Sequence, residues 1–294
     1  MTTAFASVCS TFARNKSARL AALGLALLLP LGCSMGSVVW VENTEDMQID
    51  AAGLKKLAVK THNGSVNYSG GAGGEGSAGT IQVKVTKKAG GLTQADAEEA
   101  LANLEVFNEA DGADGRVINH RWKGIRKSNW NAQVSYEING PDNLALNVDS
   151  HNGATTVRGL KSDLRVTCHN GRIDTESTGP SAHVESHNGA INVVYQGPSI
   201  HATTHNGQVT ADLSRCAAIG GEIGTHNGQV VVRVGDQTSA NLACQTHNGS
   251  VSVDIAAGWK VSHASRTRLA GVLGNGGQPL NVTTHNGQVR IQAN

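Results

Sequence analysis

Apolar and polar residues alternate along the second half of the chain, and the tripeptide His-Asn-Gly interrupts the alternation at intervals. An apolar residue, Val in most copies, stands three places before each His, and Thr, Ser or Cys stands one place before it. A second alternating run follows most copies, as in Ile191-Asn192-Val193. Alternation with a period of two predicts half-buried strands, and Asn-Gly between two strands predicts a tight turn. Each repeat is therefore predicted to supply two strands and one corner.

The spacing of the tripeptide predicts the architecture. From His151 the successive gaps are 18, 18, 18, 21, 21 and 38 residues. The last gap is about twice the others, so we expect one degenerate repeat around His263 to Gly274. A fixed advance with the same corner predicts coils that stack on their neighbours. The predicted fold is all-β, a β-solenoid of 18–21-residue coils. The eight copies begin at His62, His151, His169, His187, His205, His226, His247 and His285.

The alternation of side chains between the two faces of a strand also predicts which way each corner residue points. If the apolar residue and the Thr or Ser face inward, the His faces outward and the Asn sits at the bend. Asn side chains stacked from coil to coil can form a hydrogen-bonded ladder. The residues predicted to form this structural turn ladder are Asn152, Gly153, Asn170, Gly171, Asn188, Gly189, Asn206, Gly207, Asn227, Gly228, Asn248 and Gly249.

The outward histidines form the candidate chemical site. Imidazole binds Zn, Cu and Ni, and two stacked rings could share one ion. In the alternative interpretation the rings only stabilise the corner, because the neighbouring positions supply no consistent further ligand. The tentative metal residues are His151, His169, His187, His205, His226 and His247. No catalytic residue and no required cofactor is predicted, with a divalent transition metal as the open possibility.

The segment 54–147 contains the first corner and a stretch without the repeat. Thr93 is a predicted N-cap for one short helix over Ala95 to Leu104. A solenoid needs its first open edge covered, so this segment is predicted to be a small α+β cap or insert. The repeat solenoid is predicted to occupy 148–294.

The chain begins with a predicted signal peptide, residues 1–32. A few basic residues precede an apolar run, Leu20 to Leu31, that is too short to span a bilayer. Leu29-Pro30-Leu31-Gly32-Cys33 resembles a bacterial lipobox, with Cys33 as the lipid attachment site. The alternative is an ordinary signal peptide with an incidental Cys. Residues 33–53 are then predicted to be a lipid-anchored tether, and Ser34 resembles an outer-membrane sorting signal.

Composition narrows the function classes. Gly supplies 36 of 294 residues, and aromatic residues only 3%. Collagen is excluded because Gly has no period of three, and a formal net charge of +1 argues against nucleic-acid binding.

Without residues 1–32 the net charge is −2, and protonation of all 12 His would bring it to +10. With Cys9 removed and Cys33 carrying the lipid, three of the five Cys remain in the folded part, an odd number that excludes a fully paired disulfide scaffold.

The layout resembles a bacterial envelope family described as "putative adhesin". The resemblance rests on Thr61-His62-Asn63-Gly64-Ser65-Val66, the helical Ala95 to Leu104, and the later Thr/Ser-His-Asn-Gly repeats up to Val289. It covers roughly Leu54 to Asn294, and the near-uniform His before Asn-Gly departs from the family pattern. The resemblance implies an envelope or surface role and supplies no catalytic residues.

These observations predict a non-enzymatic envelope lipoprotein that acts as an adhesin-like or scaffold module through its solenoid faces. It would be anchored in the outer membrane on its periplasmic or surface face. The first alternative is a metal-binding envelope protein that uses the outward histidines, and the second is a polysaccharide-active β-helix. Expected partners are the membrane, reached through the lipid, and an envelope polymer or surface protein. Weak self-association is also expected, at a C-terminal edge formed by Val289 to Gln292.

Overall fold

The computed structural model of the protein describes residues 38–71, 79–255 and 259–293. The predicted signal peptide and Cys33 lie outside the described residues. The described chain is all-β, with its strands joined in one 21-stranded sheet. Residues 39–50, which the sequence analysis assigned to the tether, form a twelve-residue strand.

The first part of the fold contains seven strands and a short helix. Their bounds are β1 Val39–Asp50, β2 Lys56–Asn63, β3 Val66–Gly70, β4 Thr80–Gly91, α1 Gln94–Asn103, β5 Leu104–Ala110, β6 Gly115–Trp122 and β7 Asn131–Gly140. Thr93 caps α1 by accepting a hydrogen bond from the Asp96 amide, as its sequence position predicts. Ala97 and Ala100 bury one face of the helix with residues of β1 and β4. The helix is a minor element of the fold.

The regular repeats supply strands in pairs, one before each corner and one after it. These strands are β8 Ala145–Asn152, β9 Thr155–Leu160, β10 Leu164–Asn170, β11 Ile173–Ser177, β12 Ser181–Asn188, β13 Ile191–Tyr195, β14 Ser199–Asn206, β15 Val209–Leu213, β16 Gly220–Asn227 and β17 Val230–Val234. The last four are β18 Ala240–Asp254, β19 Trp259–Ala264, β20 Arg268–Leu273 and β21 Pro279–Ala293.

Two parallel ladders run through the repeats. The strands before the corners pair in the order β2, β8, β10, β12, β14 and β16. The strands after the corners pair in the order β3, β9, β11, β13, β15 and β17. The corners stay aligned because each Asn pairs with the next, as Asn170 does with Asn188. Inward residues such as Val166, Val184 and Ile191 are fully buried between the ladders.

The segment between β3 and β8, together with β1, adds further strands to the start of both ladders. There β6 pairs in parallel with β2, and β5 pairs antiparallel with β6. On the other ladder β7 pairs with β3, and β4 and β1 follow in antiparallel order. The segment therefore covers the edge that the first repeat would expose.

The last three repeats do not stack in sequence order. The long strand β21 lies between the strands of the sixth repeat and β18, pairing in parallel with β16, β17 and β18. The expected degenerate coil around His263 to Gly274 is wrong. Residues of this segment form the antiparallel pair β19 and β20, which packs along β18.

The predicted open edge at Val289 to Gln292 is also wrong. Val289 pairs with Val230 on one side and with Val251 on the other, and Gln292 likewise has partners in β17 and β18. Both neighbours satisfy the backbone of this strand, so it offers no edge for a second chain.

Aromatic residues are few in this chain, but three tyrosines lie in its core. Tyr68, Tyr136 and Tyr195 are all buried. The Tyr195 hydroxyl donates to the carbonyl oxygen of Gly179, 2.9 Å away, and the Tyr68 hydroxyl donates to that of Pro141, 2.6 Å away. A buried phenol needs such a partner, and backbone carbonyls at the turns supply it.

Candidate functional site

The aligned corners place eight imidazole rings in one stack, named here the histidine ladder. Neighbouring ring centroids lie 4.6–5.1 Å apart, with interplanar angles of 3–19°. All but the half-buried His151 are exposed. Because strands in a sheet are about 4.8 Å apart, the register of the repeats sets this spacing. In spatial order the ladder contains His62, His151, His169, His187, His205, His226, His285 and His247.

An asparagine ladder runs beside the rings. Asn188 Nδ2 donates to Asn170 Oδ1 at 2.9 Å, and Asn206 Nδ2 donates to Asn188 Oδ1 at 2.7 Å. The same bond joins every neighbouring pair from Asn63 to Asn248. These side chains are half-buried or exposed, so they lie at the bend and not inside the core. The predicted asparagines are thus brought together, with Asn63 and Asn286 added at positions that the same tripeptide marks.

The glycine of the tripeptide is needed for close approach between coils. A Cβ on Gly189 would lie 1.9 Å from the carbonyl oxygen of Gly171, and a Cβ on Gly171 would lie 2.0 Å from that of Gly153. The Gly171 amide donates to the Asn188 carbonyl at 3.0 Å. A side chain would force the coils apart and break this bond.

The threonine before the histidine makes a hydrogen bond that joins neighbouring coils at the corner. Thr204 Oγ1 donates to the carbonyl oxygen of Gly189 at 3.1 Å, and Thr225 Oγ1 donates to that of Gly207 at 3.0 Å. Thr246 and Thr284 make the equivalent bond. The sequence pattern predicts only that this residue faces inward, and the hydrogen bond gives a reason for threonine in these four repeats.

Two of the stacked rings, His151 and His226, have surroundings that favour the neutral form by lowering the pKa. Desolvation lowers the pKa of His151, and the positive charges that His62 and His169 would carry lower it further. Desolvation also lowers the pKa of His226, again with help from its two neighbouring rings. In the neutral form each of these two rings offers one donor and one acceptor.

The ladder geometry does not favour chelation between neighbouring rings. Ring centroids in the ladder lie 4.6–5.1 Å apart, and among the described residues no group of three ligand atoms close enough to share an ion includes a ladder ring. Within the described ranges, the group of three side chains that could hold a metal is His183, Glu185 and His201, away from the ladder. Sequence reasoning missed this group, although His183 and His201 are separated by one 18-residue repeat.

An open groove follows the ladder along the face of the strands before the corners. One part is lined by ladder rings from His151 to His205 together with Asp149, Thr167 and Glu185. The next part shares Thr203 and Thr204 with it and continues past Glu222 to the last rings. The lining is thus almost entirely hydroxyl, imidazole and carboxylate groups.

The described cysteines are free thiols enclosed in the core. Burial raises the pKa of Cys216 and that of Cys244 to about 12. Cys168 and Cys244 occupy the inward positions that the alternation predicts. Cys168 borders the groove but is only 2% exposed, and burial raises its pKa as well. Thiols kept protonated and shielded in this way are unreactive.

Within the described part of the chain, no helix has both the length and the apolar character needed to span a bilayer. Comparison with known families gives no match, and no curated protein matches the chain. Solved structures do resemble it.

A protein of Clostridium sporogenes described as a "putative cell adhesion protein" is 12% identical, with a TM-score of 0.33, covering 86% of this chain and all of the other. A "putative adhesin" of Bacteroides fragilis is 9% identical, with a TM-score of 0.36, covering 85% and 97% of the two chains. A "putative adhesin" of Parabacteroides distasonis is 12% identical, with a TM-score of 0.32 and the same coverage.

Proposed function

We propose that this protein is a non-enzymatic scaffold of the cell envelope, with an adhesin-like role, that binds an extended glycan through the groove beside the histidine ladder. We infer that its two parallel ladders form the successive coils of a β-solenoid, closed at its start by the segment between β3 and β8. The lipobox-like sequence ending at Cys33 supports anchoring by lipid, with the folded part held at the outer membrane.

The observation that carries the proposal is the repetition of one polar surface. Each coil presents the same imidazole edge at intervals of 4.6–5.1 Å. A catalytic site needs different groups converging on one reacting atom, whereas this groove offers similar groups along its whole length. A repeated surface suits a polymer that repeats its own polar groups, because many weak contacts then act together.

The chemistry of the groove points to a polar partner. The most exposed large apolar residues, Trp40, Leu92, Ile125 and Val261 among them, do not line the groove. The half-buried Thr167, Thr203 and Thr283 and the ladder imidazoles supply both donors and acceptors, which suits the hydroxyl groups of a glycan. Asp149, Glu185 and Glu222 add carboxylates that can accept from the same hydroxyls.

The test is binding of purified, soluble cell-wall glycan chains at pH 7, measured by calorimetry. We expect the wild-type chain to bind, and a variant with His151, His169, His187 and His205 all changed to Asn to bind at least about tenfold more weakly. The matched control changes Thr156, Asn192 and Thr210 on the other ladder to Ala and should bind like wild type. Circular dichroism confirms that each variant is folded.

Two results would overturn the proposal. The first is the absence of glycan binding by the wild-type chain, or equal binding by the ladder variant and the control. The second is release of new reducing ends from the glycan during incubation, which would indicate a hydrolase.

A further inference from the structure

A second pair of stacked histidines lies beside Glu185, which lines the groove, four residues before the ladder positions of the same strands. His183 of β12 and His201 of β14 occupy equivalent register positions. Their ring centroids are 4.5 Å apart, with an interplanar angle of 12°. Glu185 lies two residues after His183 and so projects from the same face of β12.

The carboxylate brings the two rings to a common point. Glu185 Oε1 lies 3.0 Å from His183 Nε2 and 3.3 Å from His201 Nε2. These separations match the distance of about 3.3 Å between two ligand atoms on one tetrahedral ion. One ligand atom from each of the three residues lies within 4.8 Å of the others.

The contact between His183 and Glu185 is short but poorly aligned for a hydrogen bond. His183 Nε2 is buried, and Glu185 Oε1 lies 3.0 Å from it without the in-plane alignment that an N–H donor needs. The N–H direction of an imidazole is fixed in the ring plane, so a short distance alone does not give a bond. A metal ion also binds the in-plane lone pair of the imidazole nitrogen, but in tetrahedral coordination it lies off the line that joins the nitrogen to the carboxylate oxygen, whereas a hydrogen bond prefers that line.

The surroundings supply partners of the kind that metal ligands use. Glu222 Oε2 lies 3.7 Å from His201 Nδ1, the ring nitrogen away from Glu185. A carboxylate that accepts a hydrogen bond from the second nitrogen orients a ligating His and raises its basicity, and Glu222 lies just beyond that distance. Thr203 Oγ1 lies 3.3 Å from His201 Nε2, and Arg165 approaches Glu185 Oε2 at 3.9 Å, leaving Oε1 directed at the histidines.

We propose that His183, Glu185 and His201 form a site for one divalent transition-metal ion of the zinc, copper and nickel group. Two imidazoles and one carboxylate are typical ligands of such ions, and the remaining positions would be filled by water. The site goes beyond the proposed glycan scaffold and does not depend on it, because none of the three residues belongs to the histidine ladder. It borders the same groove through Glu185, so the ion would be exposed to whatever occupies it.

The test is calorimetric titration of the full chain with ZnCl₂, CuCl₂ and NiCl₂, with Co²⁺ absorption as an independent report of His ligation. The site variant is H183N/H201N, since Asn147 and Asn281 already occupy equivalent register positions in other repeats. The matched control is H187N/H205N, which removes two histidines from the same strands but from the ladder.

We expect one ion per chain for wild type and control, and a loss of affinity in the site variant greater than the roughly 10–100-fold cost of losing an outer-shell partner. Changing Arg165 to Gln should tighten binding, because it removes a positive charge beside the ion. Absence of saturable binding to wild type, or loss of binding in the control and not in the site variant, would overturn the site. Either result leaves glycan binding to be decided by its own experiment.

Discussion

At the scale of single residues, the corner tripeptide joins neighbouring coils through three separate interactions. The imidazole stacks on the next ring, the Asn amide extends a chain of hydrogen bonds, and the Gly allows backbones to approach. Asn188 occupies the middle of that chain, donating to Asn170 and accepting from Asn206. Asn248 lies at its end and donates to Asn286.

Replacing Asn188 by Ala is therefore expected to cost more than replacing Asn248. Two hydrogen bonds at about 0.5–1.5 kcal/mol each give a loss of about 1–3 kcal/mol for Asn188→Ala. Asn248→Ala should lose about half of that. The free energy of unfolding from urea titration measures both, and equal losses in the two variants would contradict a continuous ladder.

Some of this residue chemistry could be predicted from the sequence and some could not. Alternation with a period of two predicts that the histidines face outward and the valines inward. It can do so because the face that a side chain takes depends only on its position along its own strand. The role of Gly189 was not predictable in the same way, since the atom that excludes its side chain belongs to Gly171 in another coil. The site at His183, Glu185 and His201 was missed for a similar reason, because its members meet only once the register between β12 and β14 is known.

At the scale of the elements, the histidine ladder couples the titration of its members. The pKa values of His151 and His226 are lowered in the fold by desolvation and by the neighbouring rings. Above the unfolded value of about 6.5 both states are neutral and the stability is complete. As the pH falls below about 6.5 the unfolded chain binds protons first, so stability is lost until the folded pKa is also passed.

We accordingly expect the melting temperature to fall between about pH 7 and pH 5. A variant with His169 and His205 changed to Asn removes a neighbour from both His151 and His226, and its melting temperature should fall less over the same range. Asp149 opposes the effect at His151 by favouring the charged form. A melting temperature that is constant or rises on acidification would show that the stacked rings do not resist protonation.

At the scale of the whole molecule, the chain order of the repeats differs from their spatial order. The sequence indicated one coil after another, and this holds from β8 to β17. It fails for the last repeat because the pairing of β21 with β16 spans a long stretch of chain, and no local pattern specifies which neighbour a strand selects. The gap of 38 residues instead accommodates β19 and β20, which lie along β18.

This insertion makes the C-terminal strand a structural link, and ending the chain at Gln278 tests it. Without β21 the strands β16 and β17 lose their outer partner, and β18 loses its main attachment to the sheet. Stacked repeats interact mainly with nearest neighbours, so the damage should stay local. Hydrogen exchange should show lost protection in 220–254 and retained protection in 145–195. A uniform loss of protection along the chain would mean that the repeats fold as one cooperative unit. Unchanged protection in β18 would mean that pairing with β20 alone keeps β18 folded.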